Sequence, residues 1–252
     1  RNKYNVKLNT NGGTINSGNV TNYTYGIGAQ ILTDITRTGY TFGGWYDNQE
    51  FTGTAVTRIG TTDTGDKTYY AKWTINQYTV TFKNGTETVK TETVNYGSSA
   101  TAPDLSKAGY TLSWDKSFSN ITGDLEVNSI WTANTNTPYK VEHYKLNTSL
   151  DDYDLEETEN LTGTTDTQVI AISKNYDGFI ENTGYPERVP SGNIAGDGSL
   201  VLKLYYDRSS YTVKLNTNGG TVNSGNVTSY RYGVEVTLPT NVTKTGHQFE
   251  GW

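Results

Sequence analysis

The two histidines, His143 and His247, are the residues of this sequence best suited to acid–base chemistry near neutral pH. His247 stands where a matching stretch earlier in the chain has Tyr40. A catalytic base would be expected at the same position in both copies of a repeated segment. The pattern therefore predicts two structural or exposed histidines and no catalytic residue.

A run of carboxylates between residues 151 and 159 is a second group with possible chemistry. Carboxylate oxygens are the ligands that Ca²⁺ prefers, but the run lacks the spacing and the glycine of an EF-hand loop. We therefore predict a solvated acidic loop or hairpin, no metal and no cofactor, with calcium binding as the alternative. The residues concerned are Asp151, Asp152, Asp154, Glu156, Glu157 and Glu159.

Lys7 and Lys214 occupy matching positions in two copies of a repeated segment and raise a third possibility, a covalent bond to an Asn or Asp side chain. Such a bond needs the lysine, its partner and an acid together in an apolar core. Both lysines alternate with apolar residues along the chain, so they are expected to face water. An isopeptide crosslink is therefore the less favoured alternative.

Composition limits the kind of fold and the kind of partner. Hydrophobic residues make up 33% of the chain, below the roughly 45–50% usual for globular proteins. The 20 Tyr, 5 Trp and 6 Phe can still close several small cores, because each aromatic ring buries a large area.

The absence of Cys excludes disulfides and thiol chemistry. The net charge of −6 argues against nucleic-acid binding, and no apolar run is long enough to span a membrane.

An internal repeat of 207 residues is the strongest feature of the sequence. The segment YNVKLNTNGGTINSGNVTNYTYG begins at Tyr4, and YTVKLNTNGGTVNSGNVTSYRYG begins at Tyr211. The match continues without a gap until Trp252, which aligns with Trp45. Arg1 aligns with the Arg that ends LYYDR, so we expect the chain to be a piece of a longer array.

The repeat divides into modules. We predict a first module at residues 2–75, a diverged version of it at 76–136, a different module at 137–209, and the first half of another first-type module at 210–252. The second module repeats the scheme of the first through YTVTF, VNYG, KAGYTLSW and SIW.

Strand periodicity and aromatic residues predict the cores of these modules. Tyr4, Val6 and Leu8 alternate with polar residues, as in a half-buried strand, and Asn11-Gly12-Gly13 has the chemistry of a tight turn. The aromatic residues could form a sugar-stacking platform, but a module of this size needs them as its core. The predicted core residues are Tyr4, Val6, Leu8, Tyr40, Phe42, Trp45, Trp73, Tyr78, Phe82, Tyr110, Trp114, Trp131, Tyr211, Phe249 and Trp252.

The motifs YNVKLNTNGG, RTGYTFGGWY and YYAKW resemble the Listeria–Bacteroides repeat, the B-repeat of internalin B. The second module departs from the pattern, because it lacks NGG and has Ser113 in place of the glycine before Trp114. The third module is similar to bacterial mucin-binding-type (MucBP-like) repeats through YKVEHY, LTGTTDTQV and DGSLVLKLYYDR. These resemblances imply small β-grasp, ubiquitin-like modules in a cell-surface protein of a Gram-positive bacterium, anchored to the cell wall through a region outside this sequence.

Together these observations predict a mainly β chain with little helix, in which small β-grasp-like modules form an extended array. The predicted function is a non-catalytic stalk or spacer. One alternative is an adhesin repeat that binds a host glycan, mucin or surface protein, with repetition adding avidity. Another is self-assembly through homophilic contacts between exposed β-edges.

Overall fold

The computed structural model describes residues 1–31 and 34–252. Every regular element in this part of the chain is a β-strand, as the wealth of Thr and Tyr and of turn-forming Asn and Gly predicts. The prediction of a mainly β chain with several small sheets in tandem is therefore confirmed. The described residues divide into two compact units, one comprising Arg1–Leu105 and Ser113–Ile130, the other Ser106–Leu112 and Trp131–Trp252.

The first module is built on a mixed four-stranded sheet. Its strands are β1 (Lys3–Asn9), β2 (Thr14–Ile15), β3 (Asn22–Thr24), β4 (Ala29–Gln30), β5 (Ile35–Thr36), β6 (Tyr40–Tyr46), β7 (Arg58–Ile59) and β8 (Lys67–Ile75). The strand order is β3-β1-β8-β6. The central strands β1 and β8 run parallel, with Val6 opposite Lys67 and Leu8 opposite Tyr69. β2 pairs with β5, and β4 pairs with β7, as two short ribbons.

The second and third modules repeat this sheet. The strands of the second are β9 (Gln77–Asn84), β10 (Glu87–Asn95), β11 (Tyr110–Trp114) and β12 (Leu125–Ala133). Those of the third are β13 (Thr137–Leu146), β14 (Tyr153–Gly163), β15 (Gln168–Ile170), β16 (Phe179–Glu181), β17 (Ser191–Asn193) and β18 (Val201–Arg208). The orders are β10-β9-β12-β11 and β14-β13-β18-β16. In both sheets the first and last strands are parallel neighbours at the centre.

All three sheets thus have the strand order of a β-grasp sheet, in which the second, first, last and third strands lie side by side. Adjacent parallel strands need a long crossover connection, and in a β-grasp fold that connection includes a helix. Here no helix forms in the described residues of the crossovers. The sequence is consistent with this, because these stretches carry Thr, Ser and Gly, and Pro103 in the second module, which are poor helix formers.

The fourth segment contains only the first elements of this plan. Its strands are β19 (Ser210–Thr212), β20 (Thr221–Val222), β21 (Ser229–Arg231) and β22 (Val242–Thr243). The pairing of Tyr211 with Tyr230 repeats that of Tyr4 with Tyr23. Among the described residues, β19 and β21 form a two-stranded sheet.

The first two modules each close around aromatic residues. Trp45 is 1% exposed in the first core and Phe82 is 0% exposed in the second. The predicted core residues that lie within or against these two clusters are Tyr4, Val6, Leu8, Phe42, Trp45, Trp73, Tyr78, Phe82 and Trp114.

Other predicted core residues lie elsewhere. Tyr40 and Tyr110 are half-buried, and each carries a cation above its ring: the Arg37 guanidinium carbon lies 3.8 Å from one ring centroid, and Lys107 Nζ lies 3.6 Å from the other. Trp131 is half-buried outside the second cluster.

The fourth segment departs most from the core prediction. Tyr211 is 41% exposed and Trp252 is 44% exposed, whereas Phe249 is half-buried. In the first module the equivalent residues Tyr4, Phe42 and Trp45 pack in the core to which β8 contributes Tyr69, Ala71 and Trp73.

The NGG turn, Asn11-Gly12-Gly13, has two structural roles. Asn11 and Gly12 adopt φ values of 49° and 86°, which suit a tight turn. Gly13 instead provides room for Trp73, because a Cβ atom at Gly13 would lie 2.4 Å from the Trp73 ring. The indole Nε1 of Trp73 donates a hydrogen bond of 2.8 Å to the carbonyl oxygen of Thr10. The turn therefore holds the closing strand in place through this tryptophan.

Candidate functional site

His143 lies in the core of the third module and is 0% exposed. Its Nδ1 is 3.0 Å from the Tyr206 hydroxyl, which already accepts a hydrogen bond from the backbone amide of Lys174. Which of the two groups donates depends on the tautomer of the imidazole. Nε2 has no hydrogen-bond partner and faces Glu159 Oε2 at 3.6 Å.

The tyrosine and the histidine of this arrangement are sealed from solvent, because Tyr206 is 1% exposed and His143 is fully buried, whereas the Glu159 side chain is 28% exposed. A catalytic histidine must reach its substrate. Burial also raises the pKa of the Tyr206 hydroxyl, which keeps that group protonated. His247 is exposed and its Nδ1 lies 2.9 Å from the carbonyl oxygen of Thr245. The two histidines therefore share no site.

The acidic run lies on the hairpin formed by β13 and β14. Three of its six carboxylates pair with lysines: Lys145 lies 2.9 Å from Glu156, and Lys174 lies 2.6 Å from both Glu157 and Glu159. Across residues 1–31 and 34–252, no cluster of three or more His, Asp or Glu side chains is arranged to hold a metal ion. The calcium alternative therefore has no support in the geometry.

The double ion pair of Lys174 leads to a prediction about how the stability of the third module depends on pH. Hydrogen bonds from Lys174 hold the pKa values of Glu157 and Glu159 below their usual range. A carboxylate with a lowered folded-state pKa stabilises the fold above its unfolded-state value, about 4.3, and that contribution is lost as pH falls through the folded-state pKa. We expect the third module to lose stability in acid, and Lys174→Gln to weaken this pH dependence.

The measurement is urea unfolding at several pH values, followed through the NMR amide signals of β13 and β14. Lys140→Gln is the control, because it removes the same charge from an exposed position on β13. Equal pH profiles for the wild type and Lys174→Gln would contradict the prediction.

Lys7 and Lys214 are both exposed. An isopeptide bond forms where an apolar environment brings the lysine to its partner as a neutral amine. The surroundings of these two lysines do not offer that environment.

The contacts between consecutive modules form a recurring arrangement, which we call the module junction. In the first junction, within the unit Arg1–Leu105, the Asn76 amide donates to the carbonyl oxygen of Gly39 at 2.9 Å. The Tyr96 amide donates in turn to the carbonyl oxygen of Asn76 at 2.8 Å. A Cβ atom at Gly39 would lie 2.1 Å from the Tyr96 ring. The glycine thus lets an aromatic ring of the next module rest on bare backbone.

The third junction, at residues 178–232, has the same design. The Ser209 amide donates to the carbonyl oxygen of Gly178 at 2.8 Å, and the Tyr232 amide donates to that of Ser209 at 2.9 Å. A Cβ atom at Gly178 would lie 2.2 Å from the Tyr232 ring. Arg208 adds a hydrogen bond of 2.9 Å to the Tyr232 carbonyl oxygen.

The second junction replaces the aromatic ring by a hydroxyl. The Asn134 amide donates to the carbonyl oxygen of Gly109 at 2.8 Å, and the Thr165 amide donates to that of Asn134 at 2.9 Å. The Thr165 hydroxyl also donates to the Gly109 carbonyl oxygen at 2.9 Å. The Tyr110 hydroxyl donates to Asp166. The backbone pattern is therefore common to all three junctions, while the side chains differ with the module that follows.

These sheets and junctions are repeated units, and comparison with known families identifies them. The family model for the Listeria-Bacteroides repeat domain matches residues 4–72, 78–138 and 211–252. The chain belongs to this family of repeats. The third module lies almost wholly between the second and third matched ranges, so its MucBP-like character stays a prediction, as do the module boundaries.

Two curated relatives of the Listeria-Bacteroides repeat chain come from Evansella cellulosilytica. One, named "Putative Gly-rich membrane protein", is 26% identical over 242 residues, which cover 87% of this chain and 28% of the relative. The other, named "Putative membrane protein", is 30% identical over 237 residues, which cover 85% of this chain and 34% of the relative. The chain thus spans about a third of the length of these relatives. None of the described residues forms a helix that could cross a bilayer.

Sequence reasoning missed the junction glycines of these repeats as a group. The signal was present, because a glycine precedes an aromatic residue or histidine at the same place in every module: GYTF, GYTL, GFIE and GHQF. Gly39, Gly109 and Gly178 adopt φ values of 78°, 76° and 75°. A turn with positive φ predicts a glycine at each of these positions. The contact of that glycine with the next module could not be predicted, because it depends on the fold.

Proposed function

We propose that this chain is a non-catalytic spacer of a surface protein, in which rigid junctions transmit the orientation of one repeat to the next. The observation that carries the proposal is the recurring junction. Asn76, Asn134 and Ser209 each donate their amide to the preceding module and accept at their carbonyl from the following one. A linker residue that is bonded on both sides has little freedom to rotate.

Short connections support the same conclusion. A single residue, Asn76, separates β8 from β9, and a single residue, Ser209, separates β18 from β19. Flexible linkers are longer and rich in Gly and Ser. The Listeria-Bacteroides family and the membrane-protein names of the relatives favour a place at the bacterial surface. Anchoring to the cell wall of a Gram-positive bacterium, through a region outside residues 1–252, is part of the proposal.

Small-angle X-ray scattering of the whole chain tests the spacer. A compact chain of this length would have a radius of gyration of about 18 Å, whereas small modules in line, each about 30 Å long, give about 30 Å. We expect the larger value. In a matched variant, six Gly/Ser residues inserted after Asn76, Asn134 and Ser209 should broaden the distance distribution. A compact globule, or a distribution that the insertions leave unchanged, would overturn the proposal.

A second candidate function, adhesion to a host glycan or mucin, is favoured by a tyrosine cluster on the third module. The ring centroid of Tyr185 lies 4.7 Å from that of Tyr153 and 4.4 Å from that of Tyr205. Tyr144 stacks on Tyr205 at 4.9 Å. Aromatic faces can stack on the apolar faces of sugar rings, while neighbouring carboxylates accept hydrogen bonds from sugar hydroxyls.

Carboxylates are present beside these rings. The Tyr144 hydroxyl donates to Glu142 at 2.6 Å, and the Tyr153 hydroxyl donates to Asp207. A glycan array probed with the whole chain and with Tyr185→Ala tests the idea, with Tyr230→Ala in the fourth segment as the control. Binding that is lost only in Tyr185→Ala would support adhesion at this cluster. If no glycan on the array binds the chain, the spacer is the remaining proposal.

A further inference from the structure

The outer strand of the third sheet, β14, has a free edge. It pairs with β13 on one side, and no strand in the described part of the chain pairs with it on the other. β14 is eleven residues long, whereas exposed edge strands are usually short or covered. A bulge opposite His143 and Tyr144 interrupts the pairing. Residues 157–163 therefore form a regular stretch whose outward backbone groups are available to another strand.

An apolar groove of about 280 Å³ lies beside this edge. It is lined by Tyr139 and Val141 of β13, by Leu161 of β14, and by Ile170 and Ile172 of the crossover. Ile170 is 72% exposed and Ile172 is 81% exposed. Apolar surface that stays open to water beside polar residues is typical of an interaction site. The groove is therefore a candidate site for an apolar side chain of a partner.

The face of β14 that borders the groove carries three carboxylates and then an apolar residue. Successive side chains of a strand point to opposite faces, and four residues of β14 lie opposite alternate residues of β13, so they share one face. In chain order they are Asp154, Glu157, Glu159 and Leu161, opposite Lys145, His143, Val141 and Tyr139. The edge thus presents an apolar position at one end and negative charge along the rest.

This negative charge is only partly neutralised. The run from Asp151 to Glu159 has six carboxylates, and the lysines that pair with it are Lys145 and Lys174. Like charges directly opposite each other destabilise a strand pair, and opposite charges stabilise it. A strand that pairs with this edge therefore needs cationic side chains.

The outer strands of this chain do not meet that requirement. Among the described residues, β3, β6 and β11 carry no charged side chain. β10 has two Glu and one Lys, and β16 has one Glu. Two copies of β14 side by side would bring two acidic strands together. The charges thus favour a different, cationic partner over a second copy of this chain.

We propose that the free edge of β14 binds an extended partner peptide that runs antiparallel to it. On one face the peptide presents β-branched or leucine side chains, followed by lysine or arginine at every second position. This is strand addition, in which backbone hydrogen bonds supply affinity and side-chain pockets supply specificity. The apolar side chains enter the groove and cover Ile170 and Ile172. The cationic side chains lie beside Glu159, Glu157 and Asp154.

This site is separate from the tyrosine cluster. Tyr144 directly follows His143 on β13, so the two side chains lie on opposite faces of the sheet. Glu157 shares the face of His143. Peptide binding at the edge and glycan binding at the tyrosines can therefore be tested independently, and both go beyond a spacer function.

Fluorescence anisotropy of the labelled peptide VTITKTKTK with the whole chain, at low ionic strength, tests the proposal. Alternate positions of this peptide place Val, Ile and the lysines on one face. We expect saturable binding, and about tenfold weaker binding of STSTKTKTK, which keeps the charge but lacks the apolar side chains. VTITETETE, with reversed charge, should also bind more weakly. Absence of binding, or equal binding of the three peptides, would overturn the proposal.

Pairing through the backbone has its own control. VTITKTKTK with methyl groups on alternate backbone nitrogens keeps the side chains but cannot donate hydrogen bonds to β14. We expect this peptide to bind more weakly, and hydrogen exchange at residues 157–163 to become slower only with the unmethylated peptide. Equal binding of the two would show that no strand is added, and would overturn the proposal.

A matched pair of protein variants tests the groove. Ile172→Ser should weaken binding of VTITKTKTK about tenfold, because it removes apolar surface that the peptide covers. Ile180→Ser is the control, since Ile180 is 66% exposed on β16, at the opposite edge of the same sheet. Both side chains are largely exposed, so neither substitution is expected to unfold the module. Equal binding by the two variants would overturn the proposal.

Discussion

Trp45→Ala is expected to unfold the first module at room temperature. Trp45 is 1% exposed, and its ring packs against that of Phe42, with centroids 5.6 Å apart. Truncating a buried tryptophan to alanine costs about 3–5 kcal/mol of stability. A single small core supplies about the same amount. Loss of this one side chain therefore removes most of the free energy that keeps the module folded.

The control for this substitution is built into the repeat. Trp252 stands at the equivalent position, 207 residues later, and is 44% exposed. We expect Trp252→Ala to cost less than about 1 kcal/mol, since exposed positions tolerate substitution. Hydrogen exchange measured on β1 and β8 distinguishes the two variants, because it reports the first module separately from the rest of the chain. Equal protection of β1 and β8 in both variants would show that Trp45 does not hold this core together.

Gly39→Ala is expected to break the first junction while the strands of both modules stay folded. The added Cβ atom would lie 2.1 Å from the Tyr96 ring, so the ring must move away and the hydrogen bonds of Asn76 to both modules must lengthen. Alanine also strains the backbone at φ +78°, at a cost of about 1–2 kcal/mol. Overpacking adds about 1–3 kcal/mol. Amide exchange at Asn76 and Tyr96 should therefore become much faster.

Gly53→Ala separates the two causes. Gly53 has a φ of +80° with nothing within 4 Å of an added Cβ atom, so this variant carries the backbone strain without the collision. A double variant, Gly39→Ala with Tyr96→Ala, removes the ring and should recover part of the loss. Equal losses of stability in Gly39→Ala and Gly53→Ala, with no recovery in the double variant, would show that the junction contact has no energetic importance.

Periodicity and turn chemistry predicted the strands of the first module well. The alternation of Tyr4, Val6 and Leu8 placed β1 correctly, and it ends at the NGG turn, as expected. These signals are local, because a side chain's face on a strand depends only on its position along that strand. The β-grasp strand order came from resemblance to a family and not from periodicity, since pairing between distant strands is not a local property.

The burial of particular rings could not be predicted in the same way. Tyr40 and Tyr110 belong to the same aromatic motifs as buried residues, yet each lies half-buried beneath a cation. Their position depends on Arg37 and Lys107, which precede them by three residues in a turn, and on the module that follows. His143 is a stronger example, because its burial depends on Tyr206, sixty-three residues away. Such contacts are set by tertiary structure.

The parallel pairing of the first and last strands has a consequence for mechanical load. In the first module the chain enters along β1 and leaves along β8, and these two strands are parallel neighbours. A force that pulls the two ends of the module apart therefore acts along the strands in shear, and it strains all of their mutual hydrogen bonds at once instead of opening them one after another. β9 with β12 and β13 with β18 repeat this geometry. A tether that must withstand fluid flow while keeping its modules folded is well served by such a connection.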